Sequence, residues 1–245
     1  MSLLEYKNVS MHFGGLKAID EVSFQVNAKE ILGLIGPNGA GKTTLFSMAS
    51  GFLNPTRGEI WFKGERIDRM GPPEICERGL VRTYQIVRPF GEMTVVENVM
   101  IGAFLHCRSA DQARERARQV VERVGLGPRA EQIARTLTLA GRKRLEVAKA
   151  LATQPQLLLL DEVMAGLNAV ETAEMLELVQ SIREEGVSVL VIEHNMQAIM
   201  KLSDRIVVVH HGQKIADGEP EVVASSPDVV AAYLGDQYKG SLANA

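Results

Sequence analysis

Apolar residues along this chain fall into short solid runs and into period-two alternations, and the two patterns predict different kinds of strand. Val22, Phe24 and Val26 alternate with polar neighbours, as in a strand with one buried face, and residues 3–35 read as successive strands. Residues 31–35, 157–160, 187–192 and 206–209 are solid apolar runs of strand length, as parallel strands covered on both faces require. A helix is expected after Gly41, through Thr44-Leu45-Phe46-Ser47-Met48, with a stop near Gly51. Asn54-Pro55-Thr56-Arg57-Gly58 predicts a turn into a strand at 59–62. The stretch 94–135 differs in character. Thr94-Val95-Val96-Glu97 fits a capping box opening an apolar helix, and residues 112–124 form a charged amphipathic helix ended by Gly125. Gly212 then turns the chain into a strand at 214–216, and Pro220 opens a helical end. This β/α alternation predicts an α/β fold whose parallel sheet is covered on both sides, with helices inserted part-way along the chain.

Two of the apolar runs end in residues with specific chemistry. After 31–35 comes Gly36-Pro37-Asn38-Gly39-Ala40-Gly41-Lys42-Thr43, which fits G-x-x-x-x-G-K-[ST]. In such a loop successive backbone N–H groups wrap phosphate oxygens, and glycines at 36, 39 and 41 let the backbone turn tightly where a Cβ would intrude. The helix that follows aims its N-terminus, with its free N–H groups, at the same phosphates. Lys42 is placed to reach the β- and γ-phosphates and the Thr43 hydroxyl to ligate Mg²⁺, with Pro37, Asn38, Ala40 and Thr44 completing the cradle. The run 157–160 ends in Asp161-Glu162, one carboxylate for the same Mg²⁺ and a second to orient and polarise an attacking water. An acid directly after a strand also fits a helix cap, and an acid pair fits a solvated strand end. Together the two motifs establish binding of a nucleoside triphosphate.

Bulk properties narrow the partners. With 245 residues there is room for one large α/β domain or a domain with a subdomain. The formal net charge of −3 leaves no electrostatic footprint for nucleic acid. Arg142-Lys143-Arg144 is the densest basic cluster and reads as a solvated helix face, and His210-His211 reads as surface. Cys76 and Cys107 lack metal-ligand spacing and read as reduced thiols. No apolar run approaches the roughly 18 residues of a membrane helix, and the N-terminus lacks a signal-peptide apolar stretch. A membrane role would have to come through partner chains.

Further landmarks follow in a fixed order: Arg82-Thr83-Tyr84-Gln85, then Leu137-Thr138-Leu139-Ala140-Gly141 with Arg144, Ala148, Ala150 and Leu151 behind it, then Ala165-Gly166-Leu167-Asn168, then Ile192-Glu193-His194. In order and spacing the chain resembles the ATP-binding cassette of ABC transporters over essentially its whole length. The resemblance implies a phosphate-loop NTPase (RecA-like) core at 1–90 and 152–245, an N-terminal antiparallel β subdomain, and an inserted helical subdomain at about 91–151, all in one domain. It makes Phe13 the aromatic that stacks on adenine, although a core phenylalanine reads the same way. Ala18 becomes a small residue near that base. Residues 36–43 become Walker A, Gln85 the Q-loop sensor of Mg²⁺ and water, 137–141 the signature, 157–161 Walker B, 165–168 the D-loop and His194 the γ-phosphate switch.

The implied partners are a second cassette, identical or paralogous, transmembrane permease subunits at the cytoplasmic face of the inner membrane, and indirectly an extracytoplasmic binding protein. Phe13-Gly14-Gly15-Leu16-Lys17-Ala18, Val81-Arg82-Thr83-Tyr84-Gln85, Glu193-His194-Asn195-Met196 and Ala232-Tyr233-Leu234-Gly235 resemble the branched-chain amino acid uptake cassettes. Cassettes for urea, short amides and lipopolysaccharide export look similar. The chain departs from the common Leu-Ser-Gly-Gly-Gln signature. Thr138 keeps the hydroxyl, but Ala140 adds a methyl and Gly141 lacks the amide, so an ATP-gated dimerisation module with little hydrolysis is the alternative.

Overall fold

The structure is a computed structural model and describes residues 2–84 and 88–233. Two sheets lie over one another. Strands β1 (Ser2–Phe13), β2 (Leu16–Asn27), β4 (Arg57–Phe62) and β5 (Glu65–Arg66) form an antiparallel sheet in the order β2-β1-β4-β5. Strands β3 (Ile31–Ile35), β6 (Leu80–Arg82), β7 (Leu157–Asp161), β8 (Ser188–Ile192), β9 (Arg205–His210) and β10 (Gln213–Gly218) form the second, in the order β10-β9-β3-β8-β7-β6. Its neighbours pair in parallel except β10, an antiparallel edge strand.

The solid apolar runs are strands for the reason expected: each serves two cores. Ile31, Leu158, Leu160, Val189 and Val191 face one buried cluster, while Leu32, Leu34, Leu157, Leu159, Leu190 and Ile192 face the other. The second cluster lies between the sheets and includes Leu45, Phe46 and Met48 of α1 (Lys42–Ala49). Tyr6 pins this layer. Its ring stacks on Phe24 at 4.4 Å and its hydroxyl donates to the Leu45 carbonyl at 3.0 Å, so the antiparallel sheet is bonded to the helix behind the glycine loop.

The other cluster holds the helices α3 (Val95–Ala103), α4 (Ala110–Arg123), α5 (Leu139–Ala152), α6 (Ala169–Glu184) and α7 (Met196–Leu202). Two shorter helices, α2 (Pro72–Glu77) and α8 (Pro220–Ala224), complete the set, followed by a helical stretch at 227–233. The capping box forms as read: Thr94 Oγ1 accepts from the Glu97 N–H, and Glu97 returns a carboxylate oxygen to the Thr94 N–H at 2.8 Å. The amphipathic helix starts slightly earlier than expected because Ser109 caps it by accepting from the Gln112 N–H.

The basic cluster 142–144 is not a solvated face. Lys143 is buried and donates to the Glu162 carbonyl, Arg142 donates to the Leu137 carbonyl, and Arg144 bonds the Val124 carbonyl and Glu174. These charges lie along a helix packed between other elements, where each finds a backbone or carboxylate acceptor. His211 is exposed as expected, whereas His210 is half-buried against it, with ring centroids 4.0 Å apart.

Candidate functional site

The glycine loop is shaped by what surrounds it. At Gly36 a Cβ would stand 2.0 Å from the Val209 carbonyl oxygen of β9, and at Gly41 one would meet Ile19 Cδ1 at 2.4 Å and the Ala18 carbonyl at 2.8 Å. A Cβ on Gly39 has nothing within 4 Å, so the loop is tight at its two ends and open at its crown. Asn38, Gly39 and Thr43 are exposed there, while Ala40 is buried and its carbonyl accepts from the Gly212 N–H. Lys42 is folded back over the loop, donating to the Gly36 carbonyl at 2.6 Å and the Pro37 carbonyl at 3.0 Å. Burial pushes its ammonium below the usual lysine value, and the charges of Glu162 and Asp161 pull it back up. No acid occupies the first turn of α1 or of α5, leaving both N-termini to the helix dipole.

Phe13 ends β1 and is 46% exposed, so it is no core phenylalanine, and Ala18 places its carbonyl beside Gly41. Gln85 lies outside the described residues.

Asp161 closes β7 and caps no helix, since α6 is capped by Asn168. Its Oδ2 accepts from Arg82 at 2.7 Å, and the same guanidinium donates to Ser47 Oγ. Thr43 and Asp161 line one cavity of about 480 Å³ with Arg82, Tyr84 and Arg88, so a hydroxyl and a carboxylate suited to a hard divalent cation converge there. Arg82 is a residue the sequence reading passed over. No local signal marks it, because Arg82 comes beside the run ending in Asp161 only when its strand pairs with β7, Arg82 opposite Leu159.

Glu162 has φ +51°, a left-handed backbone that costs a non-glycine residue on the order of 1–3 kcal/mol. Its N–H donates to the Ile192 carbonyl, its carbonyl accepts from Lys143 Nζ at 2.8 Å, and its Oε1 lies 2.8 Å from His194 Nε2. The ends of β7 and β8 thus bring Glu162 and His194 together. Next to them Glu193, also unassigned from the sequence, is buried and accepts from the Met164 N–H at 2.8 Å. Thr138, Ala140 and Gly141 do not join this group; they line a separate cavity of about 620 Å³ with Arg129, Arg144 and Glu171. Thr138 caps α5, accepting from the Gly141 N–H.

Burial pushes the Glu193 carboxyl up to about 7 from an ordinary 4.5, with the Glu162 charge adding to the rise. The folded state therefore keeps a proton that the unfolded chain has released, a contribution fully present below 4.5 and lost as pH rises through 7. Melting the wild type beside Glu193→Gln should show the wild type losing on the order of 2 kcal/mol relative to the variant between pH 5 and 8. A difference that does not change with pH would contradict the burial argument.

A glycine loop at the end of a central parallel strand, a histidine just past the neighbouring strand, and Asp161-Glu162 at the end of the strand beyond it define a nucleotide site. The model of the ABC transporter family matches residues 19–165. The chain belongs to the ABC transporter family. A second model, that of the branched-chain amino acid ATP-binding cassette transporters, matches residues 213–239 of this cassette. The cassette is 42% identical to the high-affinity branched-chain amino acid transport ATP-binding protein BraF of Pseudomonas aeruginosa, over 96% of this chain and 98% of that one. It is 34% identical to the lipopolysaccharide export system ATP-binding protein LptB of Haemophilus influenzae, over 98% and 100%. The ADP conformation of MJ1267, an ATP-binding cassette of an ABC transporter, superposes with a TM-score of 0.88 at 32% identity, covering 96% and 99% of the two chains.

The fold is accordingly that of a phosphate-loop ATPase with its antiparallel β layer, and the protein is an ATP-binding, ATP-hydrolysing transporter subunit. None of the helices among the described residues is long and apolar enough to cross a membrane.

Proposed function

We propose that this cassette powers the import of branched-chain or related amino acids, hydrolysing ATP at composite sites shared between two cassettes. The observation that carries the composite site is the separation of two cavities: Thr43 and Asp161 line one, and Thr138, Ala140 and Gly141 the other. One chain therefore supplies the loop 36–44, Asp161, Glu162 and His194, and a second cassette supplies Thr138 and the N–H groups of its α5 N-terminus to the γ-phosphate. Phe13 stacks on the adenine and Ala18 borders it. Lys42 leaves its carbonyl partners for the β- and γ-phosphates. Thr43 and Asp161, and by the sequence resemblance Gln85, would hold Mg²⁺, which would neutralise charge building on the phosphate oxygens. Glu162 orients the attacking water, and His194, hydrogen-bonded to Glu162, reaches the γ-phosphate. Closure of the two cassettes follows because ATP has its full set of partners only in the closed state.

Import of amino acids, rather than another cargo, rests on the match of residues 213–239 to the branched-chain cassettes and on the higher identity to BraF than to LptB. Reconstituted with a branched-chain permease and its binding protein, the cassette should show ATP turnover stimulated by leucine-loaded binding protein. Stimulation by a lipopolysaccharide-export permease instead would overturn the cargo assignment.

The permease surface is read from exposed apolar side chains. Phe52 meets Tyr84 edge-on at 6.1 Å, Tyr84 and Lys149 line the cavity that holds Asp161, and Lys149 lies over Phe90. Ile101 and Phe104 are exposed on and just beyond α3, whose Gly102 approaches the Lys149 carbonyl. Exposed aromatic side chains at and beside the cavity that holds Asp161 suit a protein partner whose movement must be felt there. Phe104→Asp is expected to reduce permease co-purification at least about tenfold, in line with loss of a buried aromatic anchor, while leaving nucleotide affinity unchanged. Undiminished co-purification would place the permease elsewhere.

A further inference from the structure

We infer that Lys143 is a positioning residue for ATP hydrolysis, holding the backbone of Glu162 from the same helix that presents residues 138–141 to the partner cassette. The inference rests on reading Glu162 as the carboxylate that orients water. Where that carboxylate points is decided by its backbone, which sits at φ +51°. A left-handed residue that is neither glycine nor asparagine persists only where its surroundings hold it. The Glu162 N–H is taken by the Ile192 carbonyl at 2.9 Å, and its carbonyl receives Lys143 Nζ at 2.8 Å and the Ala165 N–H at 3.2 Å. The lysine reaches that carbonyl from outside the 162–165 turn, and it comes from α5.

A lysine is an expensive choice for this position. Lys143 is only 4% exposed, and burial pushes its ammonium below the ordinary lysine value. An apolar side chain of the same length would fill the space without desolvating a charge. What the ammonium adds is a donor at the Glu162 carbonyl and a positive charge among Glu193, Glu162, Asp161 and Glu146. Glu193 acts on the same turn from the other side, taking the Met164 N–H. Residues 162–164 are thereby gripped by Lys143 from α5 and, at the end of β8, by the Ile192 carbonyl and Glu193.

The helix that supplies Lys143 begins at the Thr138 cap, so Lys143 sits within one turn of Ala140 and Gly141. Displacing α5 when its N-terminus engages the partner's nucleotide would move the donor that sets the Glu162 backbone. The N-terminal part of one helix then touches two different ATP sites, the partner's through residues 138–141 and its own chain's through Lys143.

The test compares Lys143→Met, Lys143→Arg and Glu162→Gln in the intact cassette, assembled with its partners, by steady-state phosphate release and fluorescent-nucleotide titration. Lys143→Met is expected to lower kcat about tenfold or more, as misplacing a reacting group does, with KM and nucleotide Kd within about twofold of wild type. Lys143→Arg, which keeps a charged donor, should recover kcat to within about threefold of wild type. If Lys143→Met does not fold, Lys143→Gln, too short to reach the carbonyl, takes its place with the same thresholds. Wild-type kcat in the Met or Gln variant, or kcat and KM lost together with no recovery in the Arg variant, would overturn the role of Lys143. Wild-type turnover in Glu162→Gln would remove the role of Glu162 and this one with it, which separates the two failures.

Discussion

Replacing Glu162 by Gln is expected to cut steady-state ATP turnover by about 10²–10³-fold while leaving ATP affinity nearly unchanged. The substitution is almost isosteric, and the residue is held through its own backbone: the Ile192 carbonyl accepts its N–H and Lys143 Nζ donates to its carbonyl. A Gln amide also remains capable of meeting His194 Nε2. What is lost is the negative charge that polarises water, and positioning with charge stabilisation is most of what phosphoryl transfer needs from a protein. Phosphate release measured beside nucleotide titration separates the two effects. Turnover within a few-fold of wild type would show that the altered 137–141 segment belongs to a cassette in which another group orients the water.

Gly36→Ala is expected to damage the loop itself. Its Cβ would lie 2.0 Å from the Val209 carbonyl oxygen, and both atoms belong to main chain anchored in the parallel sheet, where β3 pairs with β9 at Ile35 and Val208. Neither side can rotate away, so the strands or the loop must shift, at a cost of about 1–3 kcal/mol or more. For a chain of this size that lowers the melting temperature by roughly 3–10 °C, and the displaced loop should bind nucleotide at least about tenfold more weakly. Gly39→Ala is the control. Its methyl meets nothing within 4 Å, and only the left-handed backbone at φ +78° opposes it, at about 1–2 kcal/mol. Equal melting temperatures and equal nucleotide affinities for wild type and Gly36→Ala would contradict the loop geometry.

Much of this architecture was legible because its signals are local. The runs ending at Asp161 and Ile192 are solidly apolar because each strand serves two cores, and Thr94 with Glu97 encodes a helix start within four residues. The glycine loop is likewise a contiguous motif. The groups around Glu162 are different. Lys143 sits in Arg142-Lys143-Arg144, and nothing in that triplet distinguishes a buried donor from a solvated charge. Its acceptor is 19 residues away on a turn after another element. Arg82 and Glu193 were hidden for the same reason: each acquires its role from a strand that approaches it only in the folded sheet. The left-handed backbone at Glu162 was equally invisible, since the residue type gives no hint of it. The separation of 138–141 from the phosphate loop is also a property of three dimensions, and it is what calls for a second cassette.

The central claim is that ATP is held between two cassettes, and sedimentation velocity of Glu162→Gln with and without ATP and Mg²⁺ tests it most directly. The mass should double only when both are present, with the variant alone or mixed with a paralogous cassette. A species that keeps its monomer mass in both conditions would contradict the composite site.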